Sequence, residues 1–225
     1  MSSVLISLSG GMDSATMLGI ALDQGFEVQA IGFTYGSKHN SWEQAAARKL
    51  AEHYKVPYEL IDLTSVMANF RSDLLLSGGE IPEGHYEHES MTRTVVPGRN
   101  LIFIALAAGL AQSRGLQLVA VGVHQGDHAI YPDCRPDFVR AADQAVRHST
   151  EDSVRLWAPL LMLNKTKIIE RGLAIEVPYC LTRTCYKDQP TSCGRCGSCQ
   201  ERLEAFAANG MIDPIPYESR EILPR

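Results

Sequence analysis

The sequence predicts an α/β protein built on a parallel sheet with helices on both faces and extended by a small cysteine-rich subdomain at its C-terminal end. Three observations predict it. Short apolar runs alternate with longer helical patterns through the first half, the signature of βαβ units. The first apolar run leads straight into Ser9-Gly10-Gly11-Met12-Asp13-Ser14, a glycine-rich turn that opens a helix. Cys185, Cys193, Cys196 and Cys199 crowd together near the other end.

Val4 to Leu8 reads as a buried strand, and Ser14 to Gln24 as a helix stopped by Gly25. Val28 to Thr34 is the second strand. Ser41 to Tyr54 is a helix, N-capped by Ser41 and closed by Val56-Pro57. Tyr58 to Leu63 is the third strand. From Leu76 to Gly98 periodicity disappears among Gly78, Gly79, Pro82, Gly84, Pro97 and Gly98. A loop of that length inside a compact domain is usually functional or mobile. Its Glu83, His85, Glu87, His88 and Glu89 read as a solvated lid in preference to a metal site, with Arg93 and Thr94 positioned to join an active site on closure. Asn100 to Ser113 is a strongly apolar helix and Leu116 to Val123 a buried strand, followed by the polar stretch His124 to Pro136. Asp137 to Ser149 reads as a helix, Val154 to Pro159 as a short strand, Lys165 to Arg171 as a helix ending at Gly172, and Gln200 to Ala208 as a helix leaving the cysteine cluster. The division is a main domain, residues 1–178, with a C-terminal subdomain, residues 179–225, packed on it.

Hydrophobic residues make up 45% of the 225 positions and charged residues 21%, enough apolar material for a full core. Twenty-one basic against 26 acidic residues give a net charge of -5. The basic excess of a general nucleic-acid binder is missing. Met1 to Leu8 has no positive n-region or cleavage site, and the apolar run Leu101 to Ala111 is too short to span a bilayer. A cytoplasmic protein without a membrane partner is expected.

The glycine-rich turn carries the sharpest signal. Two glycines let the backbone approach an anion, the turn's N–H groups and the helix dipole favour phosphate, and Ser9 and Ser14 add hydroxyls. The loop lacks the Gly-Lys-Ser/Thr ending of a Walker A loop and is not a G-x-G-x-x-G fingerprint. It resembles the S-G-G-x-D-S PP-loop of the N-type ATP pyrophosphatases. A tight turn without a ligand is the plain alternative. Asp13 would repel phosphate and is expected to hold Mg²⁺ or to order the loop.

The second signal is the C-x7-C-x2-C-x2-C spacing of Cys185, Cys193, Cys196 and Cys199. Four sulfurs so spaced suit tetrahedral Zn²⁺, and a closed four-sulfur site is normally structural. An iron–sulfur cluster and a disulfide pair are the competing readings. Cys180 and Cys134 are expected to be buried packing.

Three further segments carry charge where a helix dipole alone would not want it or where a sheet binds ligands. Arg99, at a helix start, suits a bidentate grip on phosphate or carboxylate, or is simply solvated. Asp127, His128, Tyr131, Asp133 and Arg135 follow a buried strand, where α/β sheets bind ligands. Asp133 and Arg135 either read a heterocycle or form a local ion pair. Lys165 and Lys167 open a helix and point to an anionic partner or to a solvated basic face.

In combination these motifs resemble the 7-cyano-7-deazaguanine synthase family of queuosine biosynthesis. The match runs along nearly the whole chain: the S-G-G-x-D-S loop, Phe33 to Gly36, Val96 to Asn100, Tyr131 to Pro136, Lys165-Thr166-Lys167 and the four cysteines. The resemblance implies a Rossmann-like ATP pyrophosphatase fold. It implies that ATP adenylates the carboxylate of 7-carboxy-7-deazaguanine, that ammonia gives the amide, and that a second ATP leads to the nitrile. Leu8, Ser9, Gly10, Gly11, Met12, Asp13, Ser14, Ala15, Thr16, Met17 and Leu18 would line the ATP site, with Arg99. Ser9, Asp13, Ser14, Arg99, Lys165 and Lys167 would serve catalysis. Arg93, Asp127, His128, Tyr131, Asp133 and Arg135 would contact the substrate, and the four cysteines would hold zinc. Mg²⁺ would accompany ATP, and a homodimer is implied. One departure stands out: Gly122 to Ile130 reads Gly-Val-His-Gln-Gly-Asp-His-Ala-Ile, where family members commonly end in Asp-Phe/Tyr-Ser-Gly. It raises a diverged enzyme that stops at the amide or couples the acid to another amine, including one on a protein. A PP-loop tRNA-modifying enzyme and a non-enzymatic zinc scaffold are the remaining alternatives.

Overall fold

Five strands, β1 (Ser3–Ser7), β2 (Glu27–Thr34), β3 (Tyr58–Asp62), β4 (Leu118–Ala120) and β5 (Arg155–Trp157), form one sheet in the order β3-β2-β1-β4-β5. Every neighbouring pair is parallel, with Val4 opposite Val28 on one side and Leu118 on the other. This computed structural model describes residues 2–86 and 88–223, so Glu87 of the expected lid lies outside the described residues.

Strand alternation sorts the core. Leu5, Ile31, Phe33 and Val119 face one side, where α4 (Arg99–Ser113) and α5 (Pro136–Ser149) cover them. Val4, Ile6, Ala30 and Ala120 face the other, under α1 (Met12–Asp23), α2 (Asn40–Tyr54) and α6 (Lys165–Ala174). Helix α1 is buried almost all round and ends as the sequence predicts: Gly25 takes a φ of 74° and Phe26 N–H returns to Ala21 O at 3.0 Å. The C-terminal residues join both cores. The four clustered cysteines pack into the first, while Ala205 and Phe206 of α7 (Gly197–Ala208) pack into the second. With β1 central and the chain winding outward in both directions, the crevice for a ligand opens at the carboxyl ends of β1 and β4.

Several expected elements change length. The strand expected over Leu116 to Val123 keeps only Leu118–Ala120, because β5 beside it offers three paired residues and Val121 and Val123 turn away into a cavity wall. The polar stretch after it forms two short 3₁₀ turns, Gln125–Ala129 and Pro132–Cys134. Helix α6 runs through Gly172 rather than stopping there. A Cβ at that position would lie 1.8 Å from the Tyr179 hydroxyl, so this glycine serves close packing and not termination. A short helix, α3 (Thr64–Met67), occupies residues left without assignment. The long loop acquires one 3₁₀ turn, Glu89–Thr94. It is pinned by Lys38, whose ammonium donates to Asp73 O at 2.7 Å and to Gly78 O at 3.3 Å, and by Gly84 N–H to Arg195 O at 3.0 Å. Cys180 is exposed rather than buried, because it sits in a 3₁₀ turn, Tyr179–Leu181, that turns Tyr179 inward instead; Cys134 is buried.

Candidate active site

The turn after β1 is shaped by what its glycine lacks. Gly10 has a φ of 86°, and a Cβ there would lie 2.4 Å from Glu43 O, so no side chain fits between the loop and α2. Its carbonyl accepts the Arg183 N–H at 2.8 Å, tying the loop to the C-terminal residues. Gly11 N–H donates to Ser9 Oγ at 3.3 Å, Ser14 Oγ donates to Gly11 O at 3.0 Å, and the two serine hydroxyls lie 3.2 Å apart. The hydroxyls and amides that the sequence assigns to phosphate therefore converge at the start of α1.

A cavity of about 250 Å³ opens beside this loop, at the carboxyl ends of the strands. Leu8, Ser9, Gly11, Met12, Asp13 and Ser14 reach its wall, as do Arg99, Asp127, Tyr131 and Lys165. Ala15, Thr16, Met17 and Leu18 lie behind the loop in the buried body of α1, with Thr16 hydrogen-bonded to the Tyr179 hydroxyl at 2.7 Å. Six other expected residues, Gly10, Arg93, His128, Asp133, Arg135 and Lys167, are not part of the wall. Arg93 pairs with Asp73 at 2.6 Å, and Lys167 pairs with Glu170 at 2.6 Å on the exposed face of α6. Asp133 accepts the Asn100 N–H at 2.9 Å, fixing the start of α4, and Arg135 donates to the His128 carbonyl at 2.9 Å. These bonds brace the loop that carries Tyr131.

The centre of the site is Lys165. Its ammonium lies 2.8 and 3.0 Å from the Asp13 carboxylate oxygens, 3.1 Å from Glu201 and 2.7 Å from His124 Nε2, and its side chain is 9% exposed. Asn164 caps α6 by accepting the Lys167 N–H at 2.9 Å, which sets Lys165 at the first helical position facing inward. Burial alone would lower the Lys165 pKa, but Asp13, Glu201 and Asp127 together raise it. Burial alone would raise that of Asp13, but Lys165 and His124 bring it below the usual carboxylate range. Glu201 moves the other way: burial raises it, despite Lys165 and His124. Asp127 is held by the Tyr86 hydroxyl at 2.9 Å and by the His124 N–H at 3.2 Å. Arg99 donates to the Tyr35 hydroxyl at 3.2 Å and keeps its charge, since the surrounding tyrosines outweigh its burial.

Tyr35, His39, Glu43, Tyr86, His124, Tyr186 and Glu201 also line the cavity without having been singled out as site residues. Tyr35 belongs to the Phe33 to Gly36 motif and His124 begins the departing segment, so both had a signal. Tyr186 and Glu201 lie among the cysteines, whose spacing drew attention to metal alone.

The Sγ atoms of Cys185, Cys193, Cys196 and Cys199 all lie within 4.8 Å of one another, and all four residues are buried. Backbone N–H groups of Lys187 and Cys193 point at Cys185 Sγ, both at 3.4 Å, and those of Arg195 and Cys196 at Cys193 Sγ, at 3.4 and 3.3 Å. Hydrogen bonds from the other three thiols push Cys193 well down, while the bond with Cys185 pushes Cys199 up. Four thiolates in one buried place would repel one another and need a cation to offset their charge. That donor set fits a divalent metal.

Comparison with known proteins agrees with this arrangement. The family profile of "Queuosine biosynthesis protein QueC" matches residues 3–210. A 7-cyano-7-deazaguanine synthase from Porphyromonas gingivalis is 48% identical over 219 residues, 95% of this chain and 96% of that protein. One from Marinobacter nauticus is 44% identical over 216 residues, 96% of this chain and 97% of its own, and one from Methanoregula boonei is 45% identical over 218 residues, 97% of this chain and 100% of its own. A match of that extent, over a chain whose loop, cavity and cysteines are all in place, makes it a member of the queuosine biosynthesis protein QueC family.

Proposed function

We propose that this chain is an ATP-dependent ligase that adenylates the carboxylate of 7-carboxy-7-deazaguanine and, with ammonia, carries it through the amide to 7-cyano-7-deazaguanine. The observation that carries the reading is the meeting of the Ser9 to Ser14 loop with Lys165 and Arg99 on one cavity wall. A carboxylate is a poor electrophile, and transfer to AMP gives it a good leaving group. The amides and hydroxyls of the loop receive the phosphates of ATP, and Lys165 offers positive charge to the pyrophosphate as it leaves. Arg99, half-buried beside Tyr35 and permanently charged, suits the acid's carboxylate or the phosphate joined to it. Ammonia then displaces AMP from the acyl adenylate, and a second adenylation, on the amide oxygen, lets AMP leave with formation of the nitrile. Asp13, Asp127 and Glu201 outnumber Lys165 on this part of the wall, a negative excess that fits Mg²⁺ arriving with ATP and held by Asp13. Bound there, the ion would screen phosphate charge. Zinc is assigned to the four cysteines in a structural role.

Ammonia as the amine, a homodimer and a cytoplasmic setting belong to the same proposal. No helix among the described residues is long and apolar enough to cross a membrane. The test is mass spectrometry of products from the purified protein with 7-carboxy-7-deazaguanine, Mg-ATP and ammonium. Nitrile with AMP and pyrophosphate is expected. Amide as the sole product would confine the reading to the first half-reaction, and an unchanged acid would refute it.

A further inference from the structure

Three buried side-chain polar atoms of residues that line the cavity make no hydrogen bond: His39 Nδ1, Tyr58 Oη and Arg183 Nε. None of them belongs to the Lys165 cluster, and all three sit around α2. His39 immediately precedes that helix, Arg48 of α2 lies over the Tyr58 ring at 5.8 Å, and the Arg183 guanidinium lies over Trp42 of α2 at 5.5 Å. Buried polar groups in folded proteins are nearly always paired, so orphans on residues that line one cavity point to the polar atoms of a ligand.

The chemistry of those atoms follows from His39, which is 2% exposed. Its Nε2 lies 3.3 Å from Glu43 Oε2, so in the neutral ring the proton is assigned to Nε2 and Nδ1 presents a lone pair. The partner it lacks is an N–H donor. Tyr58 adds a hydroxyl that can give or accept a proton. Gly32 makes room for it, since a Cβ there would lie 2.0 Å from Tyr58 Oη. The His39 ring itself packs against Tyr186 at 5.3 Å, giving the flank a flat aromatic boundary.

We propose that the α2 flank reads the polar edge of a purine-type heterocycle, with His39 Nδ1 accepting an N–H of the base and Tyr58 Oη pairing with a second edge atom. This rests on the ligase reading, in which both ATP and 7-carboxy-7-deazaguanine bring such an edge. The Arg183 Nε–H is a donor available to an acceptor on the same ligand.

Tyr58→Phe removes only the unpaired hydroxyl, and His39→Gln keeps a donor toward Glu43 while deleting the Nδ1 lone pair. Equilibrium dissociation constants for ATP and for the acid are measured on the zinc-loaded protein and both variants, together with Tm and turnover. Each variant is expected to weaken one ligand about fivefold, the worth of one net hydrogen bond. Tm stays at or above the wild-type value in Tyr58→Phe, because a buried hydroxyl without a partner costs stability. Weakened ATP assigns the flank to adenine, and weakened acid assigns it to the deazaguanine. Dissociation constants within twofold of wild type for both ligands overturn the inference, as does a fall in Tm of several degrees in Tyr58→Phe. Wild-type protein that binds both ligands but makes no amide or nitrile fails the ligase reading alone. Wild-type protein that binds neither ligand fails both.

Discussion

Replacing Asp213 by alanine isolates one electrostatic contact that the sequence hid. Asp213 and Arg202 are both 0% exposed, and the guanidinium engages both carboxylate oxygens, at 2.7 and 2.9 Å. Arg202 also donates to Thr182 Oγ1 at 2.6 Å and to Tyr179 O at 3.2 Å, and the Tyr217 hydroxyl donates to Asp213 at 2.7 Å. Burial would discharge Arg202, yet its bonds to Asp213 hold its pKa above the ordinary value. Asp213→Ala leaves that cation in a dry place with half its partners gone, which costs about 3–5 kcal/mol. At ~2–4 °C per kcal/mol for a chain of this length, Tm falls by roughly 6–20 °C. The double replacement Arg202→Met with Asp213→Leu removes both charges and recovers most of the loss. The assay is thermal and urea unfolding of variants matched for zinc content. A loss under ~1 kcal/mol for Asp213→Ala, or a double variant that equals the sum of its singles, would refute the reasoning.

Further outcomes follow from the same geometry. Lys165→Met is expected to lower kcat/KM for pyrophosphate release by about 100-fold or more while zinc content stays at one equivalent, and a loss under tenfold would remove Lys165 from the chemistry. The Lys165 pKa is raised, so its contribution to stability is complete below the ordinary lysine value of 10.5 and is lost only as pH rises through the raised value; that of Asp13 is lowered, so its contribution is complete above 3.8 and is lost as pH falls through the depressed value. A pH profile of kcat/KM should therefore show no lysine limb between about pH 5 and 10, and a limb near 8 that disappears in Lys165→Met would contradict the paired state. Chelation should release one metal ion per chain, detected with a chromogenic indicator, and lower Tm by several degrees; loss of metal without change in Tm would argue against a structural site.

The parallel sheet was legible because buried strands and amphipathic helices leave different periods, and β1 with its glycine turn announced itself in six consecutive residues. Boundaries failed where tertiary contacts decided. Gly172 looked like a helix stop until Tyr179 was found against it, and Val121 and Val123 read as strand although they form a cavity wall. The site was half legible. Ser9, Asp13, Arg99 and Lys165 lie in motifs whose charge or glycine content is odd for their local structure. His39, Tyr58 and Glu201 are ordinary residues for a helix start, a strand and a helix, and only three-dimensional proximity gives them meaning. Asp133 and Arg135, conspicuous in the sequence, support backbone: one holds the start of α4 and the other the His128 carbonyl.

The cysteine cluster and the candidate site share a helix, so a metal held by the cysteines would also bear on the cavity. Cys199 faces the other three clustered cysteines, while Ser198 and Glu201, its near neighbours on α7, line the cavity. Arg183, two residues before Cys185, holds the carbonyl of Gly10 in the phosphate loop. The Arg202–Asp213 pair locks the same helix from its buried side. A shift of α7 on loss of metal would thus move Glu201 away from Lys165 and release one of the contacts that aim the lysine at Asp13. Catalysis should then fall further than stability alone predicts: at a temperature where the metal-free protein is still folded, kcat drops while ATP still binds the loop. If the folded, metal-free protein instead keeps its full kcat, α7 holds its place without zinc, and the Arg202–Asp213 pair is sufficient to fix it.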